Sequence, residues 1–123
     1  MSKFILPKFY FVIEYQKGDF MKTYNKLVRD NIPQIIEQNG GKPKTKILAQ
    51  DEYIFELNKK LREECQEYIE SEDIEELADI CEVVYALISA KNYTMEQFEK
   101  IRLDKVKKRG AFSSKIFLES VDE

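Results

Sequence analysis

The chain has 123 residues, room for one domain with a real core and not for two. Its 43% hydrophobic and 35% charged residues match an ordinary soluble globular domain. The formal net charge of −3 conceals an asymmetry: residues 51–82 hold thirteen acids against three bases (Lys59, Lys60, Arg62), net −10, which leaves +7 for the remainder. Such a stretch repels a phosphate backbone unless cations intervene, so a nucleic-acid polymer is not the expected partner and a metal is. The absence of histidine excludes Ser-His-Asp and Cys-His triads and His-ligated zinc. Two cysteines, Cys65 and Cys81, form no C-x-x-C pair, so no disulfide framework is expected and a cytoplasmic, reducing location is. No stretch approaches the roughly 18 apolar residues of a membrane span, so no membrane partner is expected.

Residues 1–20 stand apart. Phe4 to Ile13 is aromatic and β-branched, interrupted by Pro7 and Lys8, with no small-residue cleavage site after it. Lys17-Gly18-Asp19 makes a turn before Met21. Two readings stay open. The segment is an edge strand, or it is a gene-calling extension, since Lys-Gly-Asp can be encoded by a purine-rich run resembling a ribosome-binding site. The chain thus divides into an extension at 1–20 and one domain at 21–123.

Four helices are expected after Met21. The first is short, with Asn31 as N-cap, Pro33 in its first turn and Gly40-Gly41 as its stop. The second spans about Asp51 to Ile69, with Ile54, Leu57, Leu61, Cys65 and Tyr68 along one stripe. The third spans about Ile74 to Lys91, capped by Asp73, with a stripe of Leu77, Ile80, Cys81, Val84, Leu87 and Ile88. The fourth starts at Thr94, where Gln97 completes a capping box, and stops at Gly110. Ser114 to Leu118 reads as a strand or an extended arm. The fold class is therefore all-α, a bundle built on an antiparallel helix hairpin with short extended segments at the termini.

Acidic residues on helices are mostly a solvated face. Helical geometry separates four of these from that background. At about 100° per residue, Glu64 lies within about 40° of Leu57, Tyr68 and Tyr53, inside the apolar arc. Glu76 is flanked by Ile80, Leu87 and Val83 in the same way. Glu67 and Asp79 stand about 60° off, at the edge of the arc, while Glu63, Glu70, Glu75 and Glu82 point further out. A buried carboxylate costs several kcal/mol unless it is paired or bound to metal. The short link Ser71-Glu72-Asp73 makes the second and third helices antiparallel neighbours, setting Glu67 opposite Glu76 and Glu64 opposite Asp79. An oxygen-only donor set selects Mg2+ or Mn2+.

Lys60-Leu61-Arg62-Glu63-Glu64-Cys65-Gln66-Glu67 followed by Glu75-Glu76-Leu77-Ala78-Asp79 resembles the E-x-x-E…E-x-x-D signature of the MazG-like nucleotide pyrophosphohydrolase superfamily. Tyr24 to Pro33, Tyr85-Ala86-Leu87 and Arg109-Gly110-Ala111-Phe112 resemble one branch of it, and the similarity covers about residues 22–118. Only eight residues separate Glu67 from Glu76, fewer than in many members, which suits a tight hairpin. The resemblance implies a MazG-like helical bundle. It implies that Glu64, Glu67, Glu76 and Asp79 are the catalytic and metal-binding residues, holding Mg2+ or Mn2+. It further implies cleavage of the α–β phosphoanhydride of a nucleoside triphosphate to monophosphate and pyrophosphate, and a homodimer or larger assembly; one of the carboxylates, with Glu67 as one choice, would then serve as general base. A phosphoribosyl-ATP pyrophosphohydrolase fits the same residues, and a non-catalytic helical adaptor is the alternative outside enzymes.

Arg102, Lys105 and Arg109 share one face of the fourth helix. That face is either an exposed basic surface at a helix C-terminus or a cover for the triphosphate. Lys26 and Arg29 match the opening motif of the resemblance, which gives them the same phosphate role. No G-x-x-x-x-G-K-[ST] loop exists among the four glycines, so phosphate binding falls to metal and side chains.

Overall fold

The computed structural model describes residues 21–123, so both readings of residues 1–20 lie outside it. Helices α1 (Ile32–Gln38), α2 (Gln50–Ser71), α3 (Ile74–Ala90) and α4 (Met95–Arg109) follow one another, with no strand among the described residues. The fold is all-α.

Helix α1 begins with Pro33 in its first turn, where a missing N–H costs nothing. Asn31 occupies the N-cap position, but its backbone is already helical and its side chain caps nothing, contrary to expectation. The stop is as expected: Gly40 adopts φ +91°, which favours glycine, and Gly41 N–H donates to Ile36 O at 2.9 Å.

Helices α2 and α3 are joined through Glu72 and Asp73 alone. Glu72 turns the chain at φ 59°, and its N–H donates to Tyr68 O. Asp73 holds the N-cap position with extended backbone, yet its side chain makes no cap bond. Far from this link, Gln50 Nε2 at the start of α2 donates to Ala90 O at the end of α3, 2.9 Å away. Near the link, Glu64 approaches Glu76 and Asp79. The two helices therefore lie side by side in opposite directions.

Their shared seam is the core. Leu57, Val83 and Ala90 are buried, with Leu27, Tyr53, Ile54, Leu61, Ala86 and Leu87 packed around them. On α3 this face differs from the expected stripe: Val83 and Ala90 are inside, whereas Leu77 and Cys81 are exposed. Helix α3 is apolar on nearly every side, so periodicity alone does not choose its inner face. The face that meets α2 carries Glu76, Val83, Leu87 and Ala90, spaced seven, four and three residues along α3.

Helix α4 makes both bonds of the expected capping box: Gln97 N–H donates to Thr94 Oγ1 at 3.0 Å and Thr94 N–H to Gln97 Oε1 at 2.9 Å. It contributes no buried residue. Beyond Gly110 the chain makes one turn, closed by Lys115 N–H to Phe112 O, and then forms neither helix nor strand. No described helix is long and apolar enough to cross a membrane.

Candidate metal centre

Local structure places the acidic side chains. The α2–α3 link is so short that the last two turns of α2 face the first two of α3, and residues on the seam meet. Carboxylate oxygens of Glu64, Glu76 and Asp79 all lie within 4.8 Å of one another. Glu64 is 3% exposed, the only charged residue among the buried described side chains, and Glu76 and Asp79 are half-buried. Glu67, the fourth expected ligand, is half-buried but stands outside this close trio. Glu70, Glu75 and Glu82 are exposed, as their wheel positions predict.

Three carboxylates this close repel one another, and cations are drawn in. Arg29 Nη2 donates to Asp79 Oδ1 at 2.6 Å, from the segment before α1. Lys60 Nζ lies 3.5 Å from Glu64 Oε2, one turn away on α2, and its side chain is only 12% exposed. Burial holds the Lys60 ammonium below the usual lysine range, while Glu64 and Glu63 pull it the other way. Glu64 and Glu76 both have polar or ionic partners, yet one oxygen of each, Glu64 Oε1 and Glu76 Oε1, is buried without accepting a hydrogen bond. A convergent, oxygen-only, partly dehydrated donor set of this kind fits a hard divalent cation such as Mg2+ or Mn2+.

The basic residues expected at phosphate divide into two groups. Arg29 sits on the trio, and Lys26 donates to Glu63 Oε2 at 2.9 Å, one residue from Glu64. Arg102, Lys105 and Arg109 are exposed on α4, and none pairs with the four carboxylates among the described residues. Arg102 instead forks onto Glu99 of its own helix, a hydrogen-bonded pair that lowers the Glu99 pKa and raises that of Arg102. Lys60 was not singled out by sequence reasoning. Its signal was the four-residue spacing to Glu64, which puts both side chains on one strip of the helix.

No protein-family model matches the chain significantly, and neither does any curated protein or solved structure.

Proposed function

We propose that the chain is a Mg2+-dependent nucleotide pyrophosphohydrolase of the MazG-like type, splitting a nucleoside triphosphate between its α and β phosphates. One observation carries the reading: Glu64, Glu76 and Asp79, from two helices, converge within 4.8 Å with Glu64 buried. A merely solvated acidic face has no reason to place a carboxylate in the core, where an ion costs several kcal/mol unless compensated.

In this reading Glu64, Glu76 and Asp79 hold the ion, Mg2+ or Mn2+. When bound, it supplies charge neutralisation for the phosphates and acidifies water for attack. Glu67, half-buried and three residues after Glu64 on α2, would take up the proton of the attacking water as general base. Arg29 and Lys26 approach the cluster from the N-terminal segment and carry the phosphate-binding part of the proposal within one chain. Arg102, Lys105 and Arg109 remain an outer basic face. Exposed apolar side chains on α3 and α4, among them Leu77, Tyr85, Ile101 and Leu103, support assembly as a homodimer or larger oligomer. The free thiols Cys65 and Cys81 suit the cytoplasm.

The test is pyrophosphate release from a panel of nucleoside triphosphates, with and without Mg2+, comparing wild type with Glu76→Gln. Metal-dependent release that disappears in the variant is expected. If both folded proteins leave every nucleotide intact, phosphoribosyl-ATP becomes the next substrate to try, and inertness there too favours the adaptor.

A further inference from the structure

Helix α3 carries a second apolar face. Ile74, Leu77, Ala78, Cys81 and Tyr85 are all exposed. They lie within about 60° of Ile74 round the helix, and Val83 of the α2 seam lies about 180° from it. The stripe runs about 16 Å along the axis, and exposed Glu75 and Glu82 border one flank of it. An exposed apolar stripe rimmed by charge marks a contact surface. Beyond Gly110 lies a second one: Phe112, Ile116, Phe117, Leu118 and Val121 are between 63% and 96% exposed. This segment is basic where the stripe is acidic. Lys107, Lys108 and Arg109 precede it and Lys115 lies within it, all exposed, while its acids, Glu119, Asp122 and Glu123, come after Leu118.

We infer that the segment after Gly110 is an exchanged arm: the arm of one copy lies along the α3 stripe of a second copy and receives that copy's arm on its own stripe. Within one chain the two apolar surfaces stand bare together, so neither covers the other. Their lengths agree, since Lys115 to Val121 reaches about 20 Å when extended, enough to run along the stripe. Their charges agree, because docking sets the basic end of α4 and Lys115 beside Glu75 and Glu82. Stripe laid on stripe about a twofold axis would instead bring the two glutamate rows together. The area suffices: at on the order of 150 Å² for each apolar side chain, the two arms alone offer more than the roughly 1,200 Å² at which stable interfaces begin. The inference rests on the assembly proposed above and not on its chemistry; an inactive dimer built this way would refute the enzyme and keep the arm.

The test uses the full chain in sedimentation velocity, where wild type should form a dimer. Leu77→Asp on the stripe and Phe117→Asp on the arm should each weaken it at least about tenfold, the scale of a lost interface anchor. Ile47→Asp, exposed but outside both surfaces, should leave it unchanged. All three side chains stand in solvent, so circular dichroism should show the helices intact. A crosslink then identifies what meets what: in Cys65→Ser, Ser120→Cys protein, a bifunctional maleimide should join Cys81 of one copy to the arm thiol of another, and Cys65→Ser alone should give no covalent dimer. Monomeric wild type overturns the inference, as does a dimer indifferent to both Leu77→Asp and Phe117→Asp. Crosslinking confined to one chain shows the arm covering its own α3 and overturns exchange. A covalent dimer from Cys65→Ser alone shows α3 packed on α3 and overturns the arm.

Discussion

Helix α4 holds the fuller set of local signals, whereas the pair α2–α3 holds the packing. Helix α4 has a complete capping box, Lys107, Lys108 and Arg109 in its last turn where cations oppose the helix dipole, and Gly110 as its stop, yet it buries nothing. Helices α2 and α3 have no side-chain cap bond between them, yet they share the core and the buried Glu64. A helix secured by a partner can do without caps, and a helix with little partner surface depends on them. The division bears on the proposed function too: an acidic cluster needs a rigid seam to hold like charges together, and among the described helices only α2–α3 provides one.

The comparison breaks first at Leu57, 3% exposed at the centre of the seam. Leu57→Ala should cost about 2–5 kcal/mol in urea unfolding followed by circular dichroism, the range for emptying a packed site. Leu103→Ala, on the exposed side of α4, should stay within about 0.5 kcal/mol of wild type. Equal losses at the two positions would mean that α4 is packed against something as firmly as α2 is against α3.

The next largest effect sharpens what the seam is for. With Mg2+ at about a hundred times its dissociation constant, the trio should gain about 2.7 kcal/mol of stability. Glu76→Gln should lose that gain. Without Mg2+ the same variant should melt higher than wild type, because one of three mutually repelling carboxylates is gone. Thermal melts of both proteins with Mg2+ and with a chelator decide it, and a Mg2+-indifferent wild type would remove the metal centre.

Much of this was legible in residues alone, for definable reasons. The capping box at Thr94 and the stop at Gly110 are local chemistry and appear where expected. The placing of Glu64 and Glu76 inside apolar arcs follows from helical period, and the short link predicts Glu64 near Asp79; the predicted pairing of Glu67 with Glu76 is not among the three close carboxylates. The inner face of α3 is only half legible, because apolar residues cover most of that helix: Leu77 and Cys81 read as core but face out, and the expected stripe omits Val83 and Ala90. Asn31 and Asp73 have the right side chains for caps and do not cap: the Asn31 backbone is already helical, whereas Asp73 has the extended backbone of an N-cap and still makes no cap bond. Arg29 on Asp79 was beyond reach, because fifty residues separate them and no local rule joins such a pair. Lys60 on Glu64 was within reach, at a helical spacing of four.

Loss of the cap itself gives a smaller, local effect. Thr94→Ala removes the acceptor for Gln97 N–H and should cost about 1 kcal/mol of helix stability. If α4 stands largely apart from the core, that cost appears as roughly fivefold faster amide exchange in α4, with the main melting transition unmoved. A lowered melting temperature would instead show that α4 and the α2–α3 seam unfold as one unit.

The smallest effect lies at the hinge between α2 and α3. Glu72 is a non-glycine residue at φ 59°, a left-handed conformation that costs an L-residue roughly 1–2 kcal/mol. It also sets a negative charge at the C-terminal end of α2, the end where the helix dipole disfavours anions. Glu72→Gly removes both penalties and adds chain entropy to the unfolded state, so the net gain should be about 0.5–1 kcal/mol. Glu72→Ala removes only the charge and keeps the strain, so it should gain clearly less. If glycine and alanine behave alike, the strain at this position is negligible and the dipole accounts for the whole effect. If both destabilise, the Glu72 side chain holds the link in a way that its backbone geometry does not reveal.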